Sequence, residues 1–91
     1  MAIKHFSISI NGLVQGVSFR WAATRIANNL DIRGFILNKP DGSVYIEAEG
    51  EENDLQEFIE WCKVGPERAI IDNCTVKENK LNNYTSFEVR Y

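Results

Sequence analysis

Between Phe6 and Leu30 the chain changes hydrophobic period, and that change limits the folds open to it. Phe6, Ile8 and Ile10 alternate with His5, Ser7 and Ser9, the period of two expected of a half-buried strand. From Phe19 onward, Phe19, Ala22, Ala23, Ile26, Ala27 and Leu30 recur at helical spacing and form one apolar face. The intervening Asn11 to Gly16 carries two glycines and reads as a loop. A strand that feeds a helix in this way must lay the helix's apolar face back on a sheet.

The rest of the chain extends the pattern. A second strand is expected over Gly34 to Asn38, followed by a turn at Lys39-Pro40-Asp41-Gly42, where proline presets φ and glycine admits positive φ. Val44, Ile46 and Ala48 alternate with Tyr45, Glu47 and Glu49, giving a third strand paired with the second as a hairpin. Asn53 with Gln56 resembles a capping box opening a second helix, whose apolar stripe is Leu55, Phe58, Ile59 and Cys62. Gly65-Pro66 ends that helix, and short strands are expected around Cys74–Lys77 and Phe87–Tyr91. The order predicts an α+β fold of the ferredoxin-like kind. This is a βαββαβ sandwich with an extra C-terminal strand and two helices on one face of an antiparallel sheet.

Ninety-one residues, 44% of them hydrophobic, make one domain over 1–91 with a packed core and no room for a second, cofactor-carrying domain. The net charge of −3 divides unevenly, +3 over residues 1–46 and −6 over residues 47–91. A basic first half suits an anionic ligand, and the acidic balance disfavours nucleic acid as a partner. No apolar run reaches the ~20 residues of a membrane span, and the N-terminus lacks the pattern of a secretory signal. A cytoplasmic monomer is therefore expected. Cys62 and Cys74 form no metal-binding or redox motif. Cys62 falls on the second helix's apolar stripe, and the sequence leaves open whether the two thiols are free.

The segment that carries chemistry is Gly12 to Arg20. It joins a strand to a helix, so backbone N–H groups near Gly16 to Arg20 meet at a helix N-terminus. There they lack intrahelical partners and face the positive end of the dipole. Gly16 lets backbone approach a ligand closely, and Arg20 adds a planar fork for two phosphate oxygens. The plainer reading is a turn followed by a solvated arginine, and taken alone the segment favours it. The glycines are not those of a Walker loop, because no Gly-Lys-Ser/Thr follows.

Two motifs decide the matter by resemblance. Gly12-x-Val14-Gln15-Gly16-Val17-x-Phe19-Arg20 resembles the first signature of the acylphosphatase family. Gly34-Phe35-x-x-Asn38-x-x-x-Gly42-x-Val44, continuing to Ala48-Glu49-Gly50, resembles the second. Gly65-Pro66 and the closing Phe87 to Tyr91 agree as well, so the likeness covers nearly the whole chain. It implies hydrolysis of small acyl phosphates to carboxylate and inorganic phosphate. The backbone amides of Gln15, Gly16, Val17, Ser18 and Phe19 would bind phosphate together with Arg20, and Asn38 would position the water. It implies no cofactor and no metal. Leu13 and Leu37 stand where relatives often carry basic or polar residues, which bears on affinity for substrate.

Competing assignments find less support. Ser18 as a nucleophile lacks a nearby base, since the only histidine is His5. Glu47, Glu49, Glu51 and Glu52 as metal ligands compete with the simpler reading of a solvated strand face. Trp21 and Trp61 lie off the apolar stripes and are expected to be partly exposed. An RNA-recognition module shares the strand order, but Arg33-Gly34-Phe35 opens the second strand where that module needs its motif on the third. The alternative that remains is a non-catalytic, acylphosphatase-like module that binds phosphate without turnover.

Overall fold

A computed structural model describes residues 2–91. It contains β1 (Ile3–Leu13), α1 (Phe19–Asn29), β2 (Arg33–Asn38), β3 (Val44–Glu51), α2 (Glu52–Cys62), β4 (Ile70–Asn79) and β5 (Phe87–Val89). The strands form one sheet in the order β4-β1-β3-β2-β5, with β1–β3, β1–β4 and β2–β3 antiparallel. Both helices pack on one face, so the expected ferredoxin-like sandwich is the fold.

Register explains the core. Val76, Ile8, Ile46, Ile36 and Val89 are directly paired from β4 across to β5. Ile8, Ile46 and Ile36 in that row are fully buried, and each contributes roughly 1.5–3 kcal/mol by leaving water. Ala23 and Ala27 of α1, with Leu55, Phe58 and Cys62 of α2, complete the same cluster. Cys62 and Cys74 are both free thiols, and burial pushes both up from their ordinary pKa, Cys62 strongly.

Four expectations need correction. The sheet is mixed, because β5 runs parallel to β2. After β4 at one edge, the chain crosses the sheet face opposite the helices to reach the far edge, and there enters β5 in the direction of β2. Next, β1 runs on to Leu13 through residues read as loop, with a shift of register between Asn11 and Gly12. At Gly12, with φ +135°, a Cβ would stand 2.1 Å from the Ile70 carbonyl oxygen, so glycine is what lets the strand continue. The second helix begins at Glu52, and its cap is Glu51, whose carboxylate accepts from the Asn53 and Asp54 N–H groups at 3.1 and 3.4 Å.

The fourth correction concerns the glutamates. Glu47 and Glu49 are only 9% and 5% exposed, because the segment from Lys80 to Ser86 lies over them. Glu49 accepts hydrogen bonds from the Asn82 and Tyr84 N–H groups at 2.7 and 2.9 Å. The His5 Nδ1–H donates to the Lys80 carbonyl at 2.7 Å, and its Nε2 meets the Glu47 carboxylate, which also accepts from the Tyr45 hydroxyl. Burial alone pushes the Glu49 carboxyl up, but the N–H donors of Asn82, Tyr84 and Asn83, with His5 nearby, hold it below the usual glutamate value.

The unfolded chain therefore takes up this proton first as pH falls. The carboxylate's contribution is complete above the ordinary glutamate range and disappears as pH drops through the lowered folded value. Glu49→Gln is expected to cost about 1.5–3 kcal/mol at neutral pH, the worth of hydrogen bonds to a charged group, and to flatten the acid limb of the stability profile. Urea unfolding at pH 7 and pH 4 measures both.

Candidate active site

The loop between β1 and α1 is fixed at both ends. Val14 and Phe19 are buried, 1% and 2% exposed, and the Phe19 ring packs against Trp61 with centroids 5.3 Å apart. Between them the Gln15 side-chain amide donates to the carbonyls of Lys39 and Ser43 at 2.8 and 3.0 Å. Gln15 thereby ties the loop to the turn between β2 and β3. Val17 turns toward the core cluster, so the side chains of Gln15 and Val17 are both engaged away from the hollow described below.

Two loop residues adopt left-handed backbone, Gly16 at φ 74° and Ser18 at φ 62°. Such residues within a turn bring neighbouring N–H groups into a concavity that receives anions. Ser18 occupies the N-cap position of α1, yet its hydroxyl makes no cap hydrogen bond. A left-handed serine costs about 1–2 kcal/mol, and no cap compensates for it here. Strain of this kind accumulates where a loop is shaped for a ligand. A Cβ at Gly16 would meet nothing within 4 Å, so only φ and the open space above the loop bear on that position. Gly16→Ala is expected to lower stability by about 1 kcal/mol and to raise KM several-fold, read from thermal unfolding and steady-state kinetics.

Above the loop lies a hollow of about 300 Å³ lined by Val14, Gly16, Ser18, Phe19, Arg20, Trp21, Asn38, Val89 and Tyr91. The structure thus gathers Gly16, Ser18, Phe19, Arg20 and Asn38 at one place, although Arg20 and Asn38 lie on different elements. Arg20 is half-buried and forms no ion pair among the described residues. Its guanidinium carbon sits 5.0 Å from the centre of the Tyr91 ring, a stacking that steadies the fork and leaves its charge uncancelled. The first turn of α1 carries no acidic residue, whereas that of α2 holds Glu52 and Asp54. The positive end of α1 is therefore open to an outside anion.

Asn38 ends β2, opposite Val44 of β3. The turn beyond it is stiff. Lys39 N–H donates to the Ser43 carbonyl at 2.9 Å, and Asp41 accepts from the Ser43 hydroxyl and N–H at 2.6 and 2.9 Å. Those two hydrogen bonds from Ser43 lower the Asp41 pKa. Asn38 Oδ1 is buried and has no hydrogen-bond partner, and among the described residues it is the one such side-chain atom. An orphaned carbonyl of this kind costs about 1–3 kcal/mol. Asn38 lines the same hollow as Arg20.

Other sequence candidates fall outside the hollow. His5 is held by Lys80 and Glu47 on the opposite face of the sheet, so it cannot serve Ser18 as a base. No group of three or more His, Cys, Asp or Glu side chains converges among the described residues, and none of their helices is long and apolar enough to cross a membrane. Sequence reasoning missed Trp21 and Tyr91 as members of the hollow. Trp21 was legible through its place directly after Arg20, while Tyr91 arrives only through the course of β5.

A ferredoxin-like sandwich that gathers a strained loop, a helix N-terminus, Arg20 and Asn38 around one hollow has the parts of a small anion-binding domain. Comparison with known proteins makes this specific. The Acylphosphatase family model matches residues 6–89. The acylphosphatase of Archaeoglobus fulgidus is 46% identical over 84 residues, covering 92% of this chain and 94% of its own. That of Thermotoga maritima is 39% identical over 89 residues, covering 98% of this chain and 99% of its own. The crystal structure of acylphosphatase from Bacillus subtilis superposes with a TM-score of 0.94 at 34% identity, covering 99% of this chain and all of that one. The chain belongs to the acylphosphatase family and is a hydrolase of that type.

Proposed function

We propose that the chain hydrolyses the carboxyl–phosphate bond of small acyl phosphates, with Arg20 and the amides of Gln15 to Phe19 holding the phosphoryl group and Asn38 placing the attacking water. The observation that carries this reading is that Asn38 of β2 and Arg20 of α1 line one hollow. In this reading the Asn38 side-chain amide, at the wall of that hollow, orients the water toward phosphorus. Asparagine exchanges no proton at neutral pH, so its part is orientation.

The chemistry needs few groups. Water attacks phosphorus, the bond from phosphorus to the acyl oxygen breaks, and its electron pair leaves with the carboxylate. That carboxylate is a weak base with a pKa of about 4, so the leaving group needs no general acid. The proton released by water goes to a phosphate oxygen. What remains for the protein is positioning and charge stabilisation, and Arg20 with the loop amides supplies the latter. End-to-end similarity to chains named acylphosphatase supports turnover over mere phosphate binding. Inorganic phosphate is expected to inhibit competitively, read from benzoyl phosphate kinetics at several phosphate concentrations. Noncompetitive inhibition would contradict a shared site.

A further inference from the structure

Beside the phosphate hollow, on the outside of the helices, lies a second hollow of about 270 Å³. Its walls include Trp21, Arg25 and Ile26 from α1, with Trp61 and Pro66 facing them. Trp21 belongs to both hollows, so a single indole stands between the polar cradle and the second one. Trp21 is 63% exposed, an unusual state for so large an apolar surface. On one side the Arg25 guanidinium carbon lies 5.0 Å from the ring centre. Trp61 is held in turn by Phe19 and Phe58, with ring centroids 5.3 and 6.4 Å away.

We infer that this second hollow takes the acyl group of the substrate and that Trp21 sets acyl preference, favouring aromatic and bulky apolar acyl phosphates over acetyl phosphate. The inference rests on the proposed phosphate site. In-line displacement sends the acyl oxygen away from the attacking water. With water held by Asn38 of β2, Trp21 of α1 is a lining residue on a different element, and the one that also lines the second hollow. A planar acyl group leaving the cradle there lies against the indole and covers apolar surface now in water. Aromatic contacts of this kind discriminate by up to about tenfold beyond burial alone. Arg25 adds a positive charge at the exit for the departing carboxylate.

The test is a double ratio. Rates with benzoyl phosphate and acetyl phosphate are measured for the unmodified chain, Trp21→Ala and Trp21→Phe, with thermal unfolding recorded for each. Taking the ratio between substrates for each protein cancels the differing reactivity of the two acyl groups. Trp21→Ala is expected to lower kcat/KM for benzoyl phosphate about tenfold more than for acetyl phosphate, with the difference mainly in KM, and Trp21→Phe is expected to restore most of it. An equal fall on both substrates, or none on either, overturns the acyl-site inference while leaving the phosphate site intact. Absence of hydrolysis of both substrates by the unmodified, folded chain overturns the proposed function and this inference with it.

Discussion

Arg20→Ala is expected to lower kcat/KM for benzoyl phosphate by about 10³-fold or more, with competitive inhibition by phosphate weakened in parallel. A phosphoryl group in transit spreads negative charge over its equatorial oxygens, and arginines aimed at that charge are worth about 10³–10⁵ in rate. Among the described residues Arg20 has no carboxylate partner to absorb its charge, which leaves that charge for substrate. Arg20→Lys should recover little, because one ammonium replaces a planar fork that grips two oxygens. The fold should survive, since the side chain is half-buried and its one aromatic partner is the fully exposed Tyr91. Circular dichroism and thermal unfolding of the variant separate lost chemistry from lost structure.

Asn38→Ala should part activity from stability in the opposite sense to most substitutions in half-buried positions. Loss of a positioned polar group costs about 10²–10³ in kcat, with KM little changed because phosphate is held elsewhere. The same change deletes the one buried side-chain atom without a partner among the described residues, removing a penalty of about 1–3 kcal/mol. Stability is therefore expected to hold or rise while turnover collapses. Paired kinetics and urea unfolding give the answer, and a variant both inactive and clearly destabilised would make Asn38 a structural residue. Asn38→Asp is a useful companion, since a carboxylate facing phosphate should also inactivate through repulsion.

How far the sequence revealed these features depended on the range over which each acts. Alternation at Phe6, Ile8 and Ile10 and helical spacing from Phe19 to Leu30 are local patterns, and both elements were legible from them. Gly12 was misread because a glycine in a bulge and a glycine in a loop leave the same trace in sequence. Only the approach of the Ile70 carbonyl distinguishes them. Glu47 and Glu49 looked solvated since their alternation with Ile46 and Ala48 is that of a strand with one wet face. The chain that covers them is Lys80 to Ser86, more than thirty residues away in sequence. The same crossing makes β5 parallel to β2, which no local period reports. Within the hollow, Arg20 and Asn38 were found through two motifs. The sharing of Trp21 between two hollows and the stacking of Tyr91 on Arg20 come from packing alone.

The most direct test of the account is hydrolysis of benzoyl phosphate by the purified chain with a chelator present, followed as loss of the acyl phosphate, alongside Arg20→Ala and Asn38→Ala. Positive charge comes from Arg20 and backbone amides and the leaving carboxylate needs no activation, so the expected result is chelator-resistant turnover that both substitutions suppress. A folded chain that binds inorganic phosphate yet leaves benzoyl phosphate intact would contradict it, and would make this site a phosphate receptor without turnover.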